Sequence, residues 1–153
     1  MPRVEVPTVA ATAALAQQVA ATLPSGALLL LSGEMGTGKT VFTQSLAAAL
    51  EIKEPVTSPT FTIVGEYAVP AHSTITTFVH VDLYRLSPEQ AVSDPLVAEL
   101  VALSQDPRRV TVIEWADKLG SPPAHGYKLQ FAHATTGRVI DLPDKLLSSP
   151  TYG

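Results

Sequence analysis

The sequence predicts one α/β domain, with a mostly parallel central sheet, antiparallel strands at its margins and helices on both faces. Three observations carry that prediction. Ala27–Leu31 is an unbroken apolar run too short for a helix, as expected of a strand buried on both faces. A glycine-rich loop follows it, and residues 39–50 then repeat apolar side chains at helical spacing, which makes a strand–loop–helix unit. The chain has 153 residues, 46% of them hydrophobic, which is enough for one continuous core and too little for two ordinary domains.

The elements follow in order. After a short extended start at Val4–Val6, Val9, Ala13, Ala16, Val19, Ala20 and Leu23 mark an amphipathic helix that Pro24-Ser25-Gly26 stops. Beyond the strand–loop–helix unit, Thr60–Tyr67 and Phe78–Asp82 read as strands, with the polar stretch 70–77 as the turn of a hairpin. Ser87-Pro88-Glu89 and Ser93-Asp94-Pro95 are helix starts with proline in the first turn, so two short helices are expected up to Leu103. Val110–Trp115 is the next strand, and Tyr127–Phe131 with Val139–Leu142 forms a closing pair around Thr135-Thr136-Gly137. Residues 143–153 are polar and rich in Ser and Pro, the composition of a loosely held tail. No internal repeat occurs.

Composition narrows the function. A formal charge of −4 with 16% charged residues offers no broad basic surface for nucleic acid, so any link to RNA should run through partners. The absence of cysteine excludes thiol catalysis, thiolate metal sites and disulfides, and favours a cytoplasmic setting. Neither Met1–Glu5 nor the uncharged run 6–33, interspersed with Thr, Gln, Ser and Pro, suggests membrane insertion. His72, His80, His125 and His133 show no ligand spacing and are set aside as ordinary surface or packed histidines.

Gly33-Glu34-Met35-Gly36-Thr37-Gly38-Lys39-Thr40 carries the chemistry. It fits G-x-x-x-x-G-K-[ST] and lies between a strand and a helix, as a P-loop must. Glycines let backbone N–H groups turn toward a polyphosphate, and the helix N-terminus adds partial positive charge. Lys39 then reaches the β- and γ-phosphates, while the Thr40 hydroxyl ligates Mg²⁺. ATP with Mg²⁺ is therefore the expected ligand. In such sheets the ligand sits beyond the carboxyl ends of the strands, where Asp82 and Glu114 terminate apolar runs. Both are candidates for Mg²⁺ binding and for hydrolysis; the expected division makes Glu114 the metal partner and Asp82 the acid on the water side. Thr60, in Ser58-Pro59-Thr60, is a candidate contact to the γ-phosphate. Arg85 follows Asp82 and either serves the nucleotide or pairs at the surface. Trp115 reads as core rather than as an adenine platform. Arg108 and Arg109 precede a strand at its far end, and Arg138 belongs to a hairpin distal to the P-loop.

These segments together resemble the TsaE family of small bacterial P-loop ATPases. The resemblance rests on Leu31–Thr40, Val56–Val64 followed by Glu66-Tyr67, His80-Val81-Asp82-Leu83-Tyr84-Arg85-Leu86 and Ile113-Glu114-Trp115, and it covers residues 8–142. It implies that Lys39 and Thr40 hold Mg-ATP and that Asp82 and Glu114 serve the metal and hydrolysis. It also implies TsaB and TsaD as partners, with hydrolysis resetting a complex that makes threonylcarbamoyladenosine in tRNA and with tRNA reached only through that complex. The sequence departs from the family at Glu34, Met35 and Thr37, in Thr43–Leu46, which lacks a common glycine, and in Ala91–Leu103.

Two other classes compete. A P-loop kinase for a small molecule normally has an arginine-bearing lid, and none is evident here; a nucleotide-dependent scaffold would bind without needing turnover. No Asn-Lys-x-Asp segment supports a GTPase. With few well-placed arginines, the chain alone should hydrolyse ATP slowly and depend on its partners for speed.

Overall fold

Residues 2–57, 62–70, 72 and 74–147 are described by a computed structural model. Strand β1 (Arg3–Val6) leads into helix α1 (Val9–Thr22), then β2 (Leu28–Ser32), α2 (Lys39–Ala49), β3 (Val64–Ala68) and β4 (Thr77–Asp82). Helices α3 (Pro88–Ser93) and α4 (Pro95–Leu103) precede β5 (Arg109–Glu114), and β6 (Tyr127–His133) and β7 (Arg138–Asp141) close the sheet. Short 3₁₀ turns lie at Ala116–Leu119 and Asp144–Leu146.

The sheet has seven strands in the order β1-β7-β6-β2-β5-β4-β3. Its central run β6-β2-β5-β4 is parallel, and β1, β7 and β3 add antiparallel margins. The fold is therefore the expected α/β one. Successive side chains of a strand point to opposite faces. Leu29 and Leu31 accordingly join α1 and α2 through Leu15, Ala16, Val19, Phe42 and Leu46. Leu28 and Leu30 join α3 and α4 through Ala91, Val97 and Leu100. Leucine at the first four positions of β2 thus serves both cores, which is why that run shows no alternation.

Helix starts follow their local chemistry. The Thr8 hydroxyl accepts from the Ala11 N–H and caps α1. Ser87 and Gln90 form a reciprocal capping box at α3, with Pro88 in the first turn. The Asp94 carboxylate accepts from the N–H groups of Leu96 and Val97, so the chain breaks into two helices where the sequence predicts it.

Three boundaries differ from the sequence expectation. Residues 58–61 lie outside the described ones, and pairing of β3 begins only at Val64, opposite Val81; just before it the Thr62 hydroxyl donates to the Val64 carbonyl. Strand β6 runs on to His133. The third difference concerns the tail. The Thr22 hydroxyl donates to the Leu146 carbonyl at 2.7 Å, the Gln18 amide donates to the Leu147 carbonyl at 3.0 Å, and Leu146 is fully buried in the core beneath α1. The chain is thus docked through Leu147, because the apolar pair Leu146-Leu147 in a polar segment packs on the core. Among the described residues no helix is long and apolar enough to cross a membrane.

Leu146→Ala should lower the unfolding free energy by roughly 2–5 kcal/mol, the usual cost of truncating a buried leucine. Urea denaturation measures it, and a loss below about 0.5 kcal/mol, the range of an ordinary surface substitution, would detach the segment from the core.

Candidate functional site

The parallel strands bring their carboxyl ends to one edge, and the loop after β2 fills the gap between β6 and β5. Gly33, Gly36 and Gly38 hold φ of 146°, 78° and 98°, a region that penalises any residue with a Cβ. At Gly33 a Cβ would also collide with the Phe131 carbonyl of β6. The loop ends in α2, whose N-terminus carries no side-chain cap, unlike those of α1, α3 and α4. Its first N–H groups are left for a ligand.

Lys39 starts α2 and turns back into the loop. Its Nζ donates to the carbonyls of Gly33 at 2.6 Å and Glu34 at 2.9 Å and stands 4.0 Å above the Trp115 ring. Burial pushes the Lys39 pKa below its usual value, opposed by the attraction of Glu114, Asp117 and Asp82. A cation held in a nearly dry setting with carboxylates nearby is one that an incoming anion would meet at low dielectric cost.

The two strand-end acids sit side by side, since Asp82 and Glu114 are registered partners on β4 and β5. They differ in setting. Glu114 is 1% exposed; its Oε1 accepts from the Thr40 hydroxyl at 2.8 Å and its Oε2 from His80 Nε2 at 2.6 Å. Asp82 is partly exposed, and its Oδ1 accepts from the Tyr84 N–H at 3.0 Å.

An open cleft of about 490 Å³ unites these groups. Met35, Gly36, Gly38, Lys39, Thr40, Asp82 and Glu114 line it. Gly33, Glu34 and Thr37 are not part of this lining; the Thr37 hydroxyl donates to the Glu34 carbonyl at 2.6 Å and holds the loop's turn. Thr60 lies outside the described residues. Among those described, no three His, Asp or Glu side chains gather as a cation site, so a divalent ion here needs oxygen ligands from a bound phosphate as well as from Thr40 and Glu114. The uncapped helix start, the buried ammonium, the hydroxyl and the paired acids fit a magnesium-bound nucleoside triphosphate.

The structure also corrects one expectation and sharpens two others. Arg138 is not distal: its Nε donates to the Gly36 carbonyl at 2.9 Å and its stem lies against Gly38. Because β6 runs parallel to β2 and extends past it, the hairpin that follows rises beside the P-loop; the strand order, not the local pattern, decides this. His80 is one of the packed histidines the sequence allows, fully buried, with its Nε2 at 2.6 Å from Glu114 Oε2. Its position two residues before Asp82 on a strand was the available signal, since 80 and 82 share a face. Trp115, with φ 60°, leaves β5 in a left-handed turn and lines the cleft, so it is not wholly core. It stacks near Tyr84 at 5.3 Å, and Lys118 donates to the Tyr84 and Leu86 carbonyls, each at 2.7 Å, tying the turn after β4 to the one after β5. Arg85 lines the same cleft.

Comparison with known proteins places the chain in a family. Residues 6–140 match the family described as Threonylcarbamoyl adenosine biosynthesis protein TsaE. The chain is similar to the tRNA threonylcarbamoyladenosine biosynthesis protein TsaE of Synechocystis sp., with 37% identity over 122 residues, 77% of this chain and 72% of that one. It is 34% identical to the protein of that description from Mycobacterium tuberculosis, over 78% of this chain and 68% of the relative. The protein of that description from Nostoc sp. is 36% identical over 67% of this chain, and the match spans only 60% of that relative's length. Among solved structures, YdiB of Bacillus subtilis superposes with a TM-score of 0.63 at 25% identity, covering 92% of this chain and 82% of that one.

Trp115 is the sole tryptophan of the chain and should report on Lys39. Lys39→Met removes the ammonium from the ring face and should alter the intensity of ligand-free tryptophan emission. Unchanged emission from a folded variant would place the ammonium away from the ring.

Proposed function

The chain belongs to the TsaE family, and from that premise we propose that it binds Mg-ATP and hydrolyses it to drive the cycling of a tRNA threonylcarbamoyladenosine modification complex. The observation that carries this reading is the 2.8 Å hydrogen bond from the Thr40 hydroxyl to Glu114 Oε1, which joins the P-loop threonine to a strand-end acid. That pairing offers two oxygens at one point beside the phosphate cradle. Mg²⁺ held there by Thr40 and Glu114 would supply charge neutralisation to the β- and γ-phosphates.

The chain's own residues supply the rest. Backbone N–H groups of Gly36–Thr40 and the start of α2 receive the phosphate oxygens. Lys39 leaves the Gly33 and Glu34 carbonyls to neutralise developing charge, and Asp82, anchored through Oδ1 by the Tyr84 N–H, orients the attacking water. Arg138 and Arg85 border the cleft; the former donates to a P-loop carbonyl, so a bound partner acts by redirecting such groups as much as by adding one. TsaB and TsaD are the proposed partners, the tRNA chemistry lies outside this chain, and the setting is cytoplasmic.

With γ-labelled ATP the label should emerge as free phosphate, slowly from the chain alone, at roughly 10⁻⁴ to 10⁻² per second, and faster with TsaB and TsaD added. Lys39→Ala should cost about 3 kcal/mol of transition-state stabilisation, on the order of 10²-fold in rate. Wild-type turnover by a folded Lys39→Ala chain would refute the P-loop chemistry, and transfer of label to a small acceptor would identify a kinase instead.

Asp82→Asn and Glu114→Gln should differ in kind. Glu114→Gln weakens Mg²⁺-dependent nucleotide binding, whereas Asp82→Asn leaves binding intact and lowers the chemical step. Titrating Mg²⁺ against nucleotide affinity separates them, and the reverse pattern exchanges the two roles.

A further inference from the structure

Beyond the nucleotide contacts themselves, and resting on the ATPase reading above, we propose that His80 is a positioning residue that holds Oε2 of Glu114, so that the carboxylate presents only Oε1 to Thr40 and the Mg²⁺–nucleotide. Three facts carry this. His80 and Glu114 have side-chain exposures of 0% and 1% and meet at 2.6 Å. A carboxylate can only accept, so the ring nitrogen that meets it carries the proton and the neutral ring is the Nε2–H tautomer. The other nitrogen, Nδ1, is then an acceptor, and it is buried with no hydrogen-bond partner among the described residues.

That unmet acceptor is a local cost, set against the donor that the same ring gives to the buried Glu114 Oε2. A buried polar group without a partner costs roughly 1–3 kcal/mol; an apolar side chain between buried Val79 and Val81 would avoid that cost at Nδ1 but would leave Glu114 Oε2 without its donor. What the imidazole provides there is one N–H aimed at Glu114. The carboxylate is thereby fixed in rotation: without the bond, its two oxygens could exchange or chelate a cation together. With Oε2 held, Glu114 offers a single oxygen at the place where the Thr40 hydroxyl now lies. Partners behind a metal-binding carboxylate typically change metal affinity or activity by roughly 10–100-fold when removed.

The test compares His80→Gln, whose amide nitrogen stands as many bonds from Cβ as Nε2 does, with His80→Asn, whose amide is one bond short, and His80→Leu, which has no donor. The readouts are the Mg²⁺ midpoint for ATP binding, ATP affinity in EDTA, and kcat against KM. His80→Asn and His80→Leu should raise the Mg²⁺ midpoint by roughly 10-fold or more and lower kcat, with ATP affinity in EDTA unchanged, while His80→Gln restores most of both. A folded donor-less variant with the wild-type midpoint and kcat would overturn the proposal. Should His80→Asn and His80→Leu both fail to fold, ¹⁵N NMR of the intact wild-type ring decides. An Nε2–H tautomer whose resonance moves on adding Mg²⁺ with ATP, but not ATP in EDTA, supports the positioning role; an Nδ1–H tautomer or a resonance indifferent to Mg²⁺ overturns it. Wild-type protein that shows no Mg²⁺-dependent ATP binding overturns the parent reading and this one together, whereas wild-type binding beside insensitive variants overturns this one alone.

Discussion

A carboxylate buried to 1% exposure at the end of a central strand is tolerable only if its oxygens find donors. Glu114 finds one on each side. Thr40 comes from the first turn of α2, His80 from the neighbouring strand, and the two bonds fix how β4, β5 and α2 sit relative to one another at the cleft. The remaining site geometry hangs from this junction. Asp82 is in register with Glu114, Lys39 is the residue before Thr40, and Trp115 is the residue after Glu114. A shift of β4 by one residue would turn His80 away from Glu114 and Asp82 with it.

Where the protein accepts unfavourable local structure is equally telling. Most of the fold is locally consistent: α1, α3 and α4 are capped by side chains, and both faces of β2 are filled by leucine. Although Glu51, with φ 65°, and the unmet buried hydroxyl of Thr111 stand elsewhere, most of the exceptions gather at one edge of the sheet. They are the left-handed glycines of the loop, the uncapped start of α2, the buried ammonium of Lys39, the left-handed Trp115 and the unmet nitrogen of His80. Each is costly where it stands and is retained beside the others, which is the pattern of a site rather than of a scaffold.

Much of this was legible in the sequence because it depends on neighbours along the chain. The strand–loop–helix unit, the acids at strand ends and the break between α3 and α4 all follow from spacing, caps and apolar runs. The features that escaped depend on which strands lie side by side. Periodicity marks Tyr127–Phe131 as a strand but does not say that it pairs parallel with β2, and only that pairing carries Arg138 to Gly36. His80 likewise has no ligand spacing in the sequence; its partner is 34 residues away and meets it through the β4–β5 ladder. Leu146 escaped for another reason, since two adjacent apolar residues in a polar segment set up no period.

The position of Lys39 bears on how tightly such a loop can hold a ligand. In this structure its ammonium is already satisfied by two carbonyls and an aromatic face. A phosphate gains only the difference between its own interaction with the cation and those three contacts, so the net affinity is smaller than the charge pairing alone would suggest. The same arrangement keeps the loop from collapsing around an unpaired buried charge. Trp115 then links that exchange to the rest of the edge. It packs near Tyr84, and Lys118 binds the carbonyls of Tyr84 and Leu86. The turn that follows Asp82 and the turn that follows Glu114 are therefore one packed unit, with the phosphate-binding cation resting on its inner face.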